Sequence, residues 1–329
     1  MKFRETEAAF MRRAIELAWM SAGHTRPNPP VGAVIARGGR IIGEGRHRVC
    51  GGDHAEVAAL KSCRESPRGA TAYVTLEPCS RPGRVGACCD AIIAAGLARV
   101  VWACRDPNPV NRGKAARRLR AAGIETASGL CASEAAPLIA PFAKFVTTGL
   151  PFVTVKLAVS LDGKICDLNG KSQWISCPES LRRTGAMRER VDVVMVGGET
   201  VRKDNPSLLC HTMRNDSLWR AVVSRSGVLP RDARIFTDEA RGRTLVYRSP
   251  REAMSDLGRR GFMHVLCEGG LGLARSLAAE GFVDEWISVV APIVIGDGPL
   301  GEAAKFQMGE ISPSGADAFI RATAATPQA

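Results

Sequence analysis

Two short stretches, His54-Ala55-Glu56-Val57 and Thr75-Leu76-Glu77-Pro78-Cys79-Ser80, with Cys88-Cys89-Asp90-Ala91 following, decide how this chain is read. One imidazole and two thiolates bind Zn²⁺ tightly and leave the fourth tetrahedral corner for water, whose pKa the metal lowers toward ~7. A carboxylate that is not a ligand must then carry protons to a leaving amine. Glu56, two residues after His54 at a helix start, can lean back over the metal for that work. A His beside a Glu is by itself an ordinary pair. Pro-Cys at the end of the strand-like run Ala72-Tyr73-Val74-Thr75-Leu76, then a second Cys opening the apolar run Ala91-Ile92-Ile93-Ala94-Ala95, makes the pattern specific. The set is that of hydrolytic deaminases, with residues 80–87 widening the usual two-residue gap between the cysteines. Cys89 competes for the ligand role, but adjacent residues at a helix start point in different directions, and Cys88 is assigned to the metal.

Working outward, residues 7–20 space apolar groups helically, 32–42 read as a hairpin around Gly38-Gly39, and helices are expected near 55–63, 90–95 and 113–122, the last ending at Gly123. This is an α/β/α pattern with the metal at strand-to-helix junctions. The pattern breaks near 145–151. Beyond it come strand-like runs at 152–158, 191–196 and 264–267, the last two running into Gly197-Gly198-Glu199-Thr200 and Glu268-Gly269-Gly270. Glycines between strand and helix let backbone N–H groups approach a phosphate, although neither run is the Gly-x-Gly-x-x-Gly fingerprint. The expected organisation is 1–147 and 148–329, with a frayed tail from Ala322.

At 329 residues there is room for two cores. No run of ~18 uncharged apolar residues and no leader-like N-terminus is present, so neither membrane nor export is expected. Eleven scattered cysteines do not read as a disulfide framework and suit the cytoplasm. Of the net charge of +12, residues 1–150 carry 22 Lys+Arg against 12 Asp+Glu, and the rest 23 against 21. The basic first half suits a phosphorylated metabolite; nucleic acid is not expected, because aromatic residues, at 5%, are too sparse for base stacking.

These stretches, with Pro27-Asn28-Pro29-Pro30-Val31-Gly32 and Asp106-Pro107-Asn108-Pro109, resemble the deaminase half of the RibD family of bifunctional riboflavin-biosynthesis deaminase/reductases. Lys156 with Ser160-Leu161-Asp162-Gly163-Lys164, Ser172, Trp174-Ile175-Ser176, Asp204-Asn205-Pro206-Ser207-Leu208 and Glu268-Gly269-Gly270 resemble its reductase half. The resemblance implies a cytidine-deaminase-like zinc domain followed by a dihydrofolate-reductase-like domain. It also implies deamination of 2,5-diamino-6-(5-phosphoribosylamino)pyrimidin-4(3H)-one, then NADPH-dependent reduction of the ribosyl group to ribityl, in a homo-oligomer. Asn28, Asp106 and Asn108 would orient that substrate in the first half. In the second, Lys156, Ser172, Arg188, Ser207, Leu208, His211 and Glu268 would hold it, Trp174, Ser176, Gly197, Thr200, Gly269 and Gly270 would lie along NADPH, and Asp204 would serve proton transfer beside the cofactor.

The chain departs from the family at Arg81, usually His, at Val85-Gly86-Ala87, usually Thr-Pro-Pro, and at His211, usually Arg. The first two are expected to shape the deaminase pocket wall; His211 would grip phosphate only below about pH 6.5 unless its pKa is raised, with Arg214 nearby to compensate. Two rival readings are a tRNA-type zinc deaminase with an appended domain and a non-enzymatic zinc-binding regulator.

Overall fold

A computed structural model describes residues 3–82, 86–170, 172, 175–210, 217–298, 304–314 and 317–324. The first half runs α1 (Glu5–Trp19), β1 (Gly32–Arg37), β2 (Arg40–Arg46), α2 (Ala55–Lys61), β3 (Thr71–Leu76), α3 (Cys88–Ala95), β4 (Arg99–Cys104), α4 (Lys114–Ala121), β5 (Glu125–Ser128) and α5 (Ala132–Thr148). Its five strands lie in the order β2-β1-β3-β4-β5, with β3, β4 and β5 parallel. Residues alternate along each strand, so Val34, Tyr73 and Val101 bury against α1 and α5 while Ile35, Val74 and Val100 bury on the opposite face with Ala59, Ile92 and Leu119. Helix α1 starts two residues before the apolar spacing suggests, because the Glu7 carboxylate accepts the Arg4 backbone N–H at 2.9 Å and caps the helix.

The second half runs β6 (Phe152–Ser160), α6 (Pro178–Arg188), β7 (Val193–Gly197), α7 (Gly198–Asp204), β8 (Trp219–Val223), α8 (Arg234–Thr237), β9 (Thr244–Tyr247), α9 (Pro250–Arg259), β10 (His264–Cys267), α10 (Leu271–Ala279) and β11 (Glu285–Ala291). The six strands are all parallel, in the order β11-β6-β10-β7-β8-β9. A parallel sheet covered on both faces needs unbroken apolar runs, and Val193-Val194-Met195-Val196 is fully buried. Short β12 (Ile293–Val294) joins the hairpin of β13 (Ala304–Ser314) and β14 (Asp317–Ala324).

The halves touch along a seam under α5. Gly23, at φ +84°, lies so close to the other half that a Cβ there would sit 2.3 Å from the Glu189 carbonyl oxygen. The Arg26 guanidinium stacks 4.4 Å from the centre of the Phe262 ring, and Lys144 pairs with Asp284 at 2.5 Å.

His264 borders this seam. Its Nε2 lies 2.9 Å from the Thr154 hydroxyl, which donates its own hydrogen to Glu285 at 2.8 Å and so accepts from Nε2–H. Burial pushes the His264 pKa down to about 4. Between pH 6.5 and 4 the unfolded chain therefore takes up a proton that the folded chain refuses, and this contribution to stability, complete above pH 6.5, is lost as pH falls. His264→Gln, which keeps a donor for Thr154, should lessen the stability lost between pH 6.5 and 4.5 by about 2 kcal/mol, measured by urea unfolding across pH.

Candidate active sites

His54 is the N-cap of α2, Cys79 follows β3, and Cys88 opens α3, so chain ends of one strand and two helices converge. His54 Nδ1 lies 3.1 Å from Cys88 Sγ and 3.6 Å from Cys79 Sγ, and the two sulfurs are 3.3 Å apart. A tetrahedral zinc with Zn–S ≈ 2.3 Å and Zn–N ≈ 2.0 Å sets its ligands about 3.5 Å from one another, so this donor set fits the ion. Cys89 is directed into the core with Ile92 and Trp102. The backbone N–H of Cys88 points at Cys79 Sγ from 3.2 Å. The Cys88 thiol first, then His54 and that N–H, hold the Cys79 pKa down to about 4, whereas Cys88 is pushed up by its bond to Cys79 and by burial. An anionic sulfur at a helix N-terminus is the state a metal requires.

Glu56 is buried, and the loss of solvent, followed by the Cys79 charge, pushes its carboxyl up to about 7. A carboxyl poised there can both take and return a proton near neutral pH. A cavity of about 230 Å³ opens over these groups and is lined also by Asn28, Asp106, Asn108 and Phe142. Asp106 has both oxygens engaged, one by the Asn108 N–H at 2.8 Å and one by the Asn111 amide at 2.7 Å, and so shapes the loop that carries Asn108. Among the described residues Arg81, Gly86 and Ala87 do not line the cavity; Val85 lies outside the described residues.

His47 is a lining residue that motif reading passes over. Its Nδ1 lies 2.9 Å from the Asp53 carbonyl and its Nε2 3.0 Å from the Asn28 amide nitrogen. The carbonyl can only accept, so Nδ1 carries the proton and Nε2 accepts from Asn28. Burial lowers the His47 pKa and keeps the ring neutral for that role. The Asn28 amide is thereby fixed with its nitrogen engaged and its oxygen left for a ligand.

The second cavity, about 510 Å³, lies at the carboxyl ends of β6, β7 and β10, where open α/β sheets bind ligands. It brings together Lys156, Ser172, Ser176, Gly197, Thr200, Asp204, Glu268, Gly269 and Gly270. Burial lowers the Lys156 pKa, opposed by Glu268, and burial raises that of Asp204. Arg188 is not in the lining: its guanidinium forks onto Glu268 at 2.6 and 2.9 Å and holds that carboxylate at the cavity edge. Ser207 and Leu208 are not in the lining. Trp174, His211 and Arg214 lie outside the described residues.

Three features fit an extended cofactor here. The Ser176 hydroxyl is buried with no partner among the described residues. Gly269 is pressed against Gly197, so that a Cβ on Gly269 would lie 2.9 Å from the Gly197 nitrogen and 2.8 Å from Leu273 Cδ2. Beside them the N-terminus of α10 offers free N–H groups to a phosphate. Gly269→Ala should raise the KM for a cofactor bound here about tenfold or more and leave turnover at the first cavity unchanged.

The family described as "RibD C-terminal domain" matches residues 151–310, and that described as "Cytidine and deoxycytidylate deaminase zinc-binding region" matches 4–104. The riboflavin biosynthesis protein RibD of Escherichia coli is 36% identical, over 94% of this chain and 97% of its own. That of Aquifex aeolicus is also 36% identical, over 90% and 89%. Among solved structures, a diaminohydroxyphosphoribosylaminopyrimidine deaminase/5-amino-6-(5-phosphoribosylamino)uracil reductase from Thermotoga maritima superposes with TM-score 0.83 at 34% identity, covering 98% of this chain and 99% of that one. Acinetobacter baumannii RibD gives 0.81 at 32%, with the same coverage.

Proposed function

The chain belongs to the RibD family of riboflavin biosynthesis, and from that premise we propose how its two cavities divide the work. It is a bifunctional enzyme with zinc and NADPH as cofactors. It removes ammonia from 2,5-diamino-6-(5-phosphoribosylamino)pyrimidin-4(3H)-one and then reduces the ribosyl group to ribityl. We assign the first step to residues 1–147 and the second to 148–329, joined at the end of α5. The observation that carries the reading is the His54, Cys79 and Cys88 triangle with the buried, unligated Glu56 beside it.

Zinc, held by His54, Cys79 and Cys88, would supply a Lewis acid that makes water nucleophilic near neutral pH. Glu56 takes the proton from the attacking water on a carboxylate oxygen and returns it to the departing nitrogen, which leaves as ammonia. The Asn28 amide oxygen and Asn108 orient the pyrimidine and its ribose phosphate, with His47 and Asp106 holding each in place. Phe142 and Pro29 wall the cavity and help exclude bulk water.

In the second cavity NADPH would supply the hydride to C1′ of the opened ribose. Ser176, Gly197, Thr200, Gly269 and Gly270, with Trp174, hold the cofactor. Lys156, Ser172 and Glu268 hold the substrate, Arg188 through its fork onto Glu268, and Asp204 transfers a proton at the sugar oxygen. Ser207, Leu208 and His211 are further substrate residues by the family resemblance.

The reading as a nucleic-acid deaminase with an unrelated appendage is disfavoured, because relatives spanning some nine-tenths of the chain carry both parts. A homo-oligomer in the cytoplasm is our further reading. Eleven cysteines, none in a disulfide, support a reducing compartment, and no helix among the described residues is long and apolar enough to cross a membrane. Edge strand β11, with Trp286 exposed, supports self-association. The test is product analysis: zinc-loaded protein given the diaminopyrimidine without NADPH should release ammonia and accumulate the deaminated ribosylamino compound. Zinc-loaded protein that releases no ammonia overturns the reading.

A further inference from the structure

Among the described residues between α7 and β8 two non-glycine residues adopt the left-handed region, Asn205 at φ +41° and Leu208 at φ +58°. Asn adopts this conformation readily; a Leu there costs about 1–2 kcal/mol and persists only where its surroundings over-determine it. Three tethers do so. The Asn205 side-chain oxygen accepts the Arg234 backbone N–H at 2.7 Å, the Leu209 carbonyl accepts from Arg188 at 3.1 Å, and the Ser207 carbonyl accepts from Arg220 at 2.8 Å.

Arg220 lies in the middle of β8 and is 0% exposed. Its guanidinium spends all five N–H groups: on both Asp238 oxygens at 2.5 and 2.8 Å, the Ile235 carbonyl at 2.9 Å, the Thr244 hydroxyl at 3.0 Å and the Ser207 carbonyl. Burying such an ion pair is costly, and an apolar side chain of similar volume commonly serves stability as well. An apolar residue cannot fix the Ser207 carbonyl. That carbonyl lies three residues beyond Asp204, which lines the reductase cavity from the end of α7.

We propose that Arg220 is a positioning residue for the reductase step, clamping the Ser207 carbonyl so that the 204–209 segment holds its shape at the substrate side of the cavity. The inference rests on the assignment of that cavity to the reductase. It makes Arg220 a determinant of substrate affinity although it touches no ligand.

Arg220→Lys keeps the charge opposite Asp238 but lacks the fork that reaches Ser207 at the same time. Its KM for the deaminated ribosylamino pyrimidine should rise about tenfold, with kcat and the affinity for NADPH within about threefold of wild type and ammonia release unchanged. A residue that only holds the core together would instead lower Tm and the active fraction and leave KM in place; that result overturns the proposal. Should Arg220→Lys fail to fold, Thr244→Val, which deletes the acceptor of Arg220 Nε, should raise the same KM about threefold, and an unchanged KM there overturns it equally. Wild-type protein that oxidises no NADPH with the deaminated compound overturns the assignment of the cavity, and the clamp's role with it.

Discussion

Glu56→Gln should lower ammonia release about a thousandfold while the protein keeps its zinc and its NADPH-dependent activity. The substitution preserves shape, and Glu56 is not one of the three donors that surround the metal position, so the His54, Cys79 and Cys88 group stays intact. What is lost is a group able to accept a proton and give it back. Burial makes the loss severe, because Glu56 is only 5% exposed and bulk water cannot easily take its place. Three measurements check it: ammonia from the diaminopyrimidine, zinc per chain by metal analysis, and NADPH oxidation with the deaminated compound. Near-normal ammonia release would remove Glu56 from the proton path.

Removing the metal should have an effect at least as large on the first step and none on the second. In the proposed reading Cys88 supplies one of three donors, so Cys88→Ala leaves two ligands and loses the ion. Ammonia release should fall by more than about a thousandfold, since the Lewis acid and the geometry around it vanish together. Thermal stability of the first half should fall as well, because binding free energy of a metal to folded ligands is folding free energy. The reductase cavity contains none of these residues, and its turnover of the deaminated compound should stay within about twofold of wild type. Parallel loss of both activities would mean that the metal site organises the whole chain.

The sequence carries the local parts of this architecture well and the long-range parts poorly. Strands 72–76 and 264–267 and helices near 55 and 113 are visible because apolar spacing and glycine stops are local signals. Helix α5 left no such trace. It passes through Pro137 and Pro141, residue types that ordinarily break a helix, and is held by Ala135, Leu138 and Ile139 against the first sheet. Strand β11 escaped because its burial does not alternate cleanly, and only pairing with β6 establishes it.

The sites follow the same rule. His54, Glu56, Cys79 and Cys88 were legible because metal chemistry demands those residue types at chain ends that the strand and helix signals already mark. His47 was not, since its meaning depends on Asn28, 19 residues away. The resemblance places Arg188 among the substrate residues, but its fork onto Glu268, 80 residues on, is invisible without the fold. Arg220 sits inside a strand run and reveals itself only through partners on three other segments.

The most direct measurement of the central claim, two consecutive reactions on one chain, is the ratio of products from a single incubation. Zinc-loaded protein supplied with the diaminopyrimidine and NADPH should release one ammonia for each NADPH oxidised, with ammonia appearing first, and Glu56→Gln should stop both, with NADPH oxidation alone restored when the deaminated compound is added. NADPH oxidation by Glu56→Gln on the original diaminopyrimidine at the wild-type rate would contradict it, because reduction would then need no deamination before it.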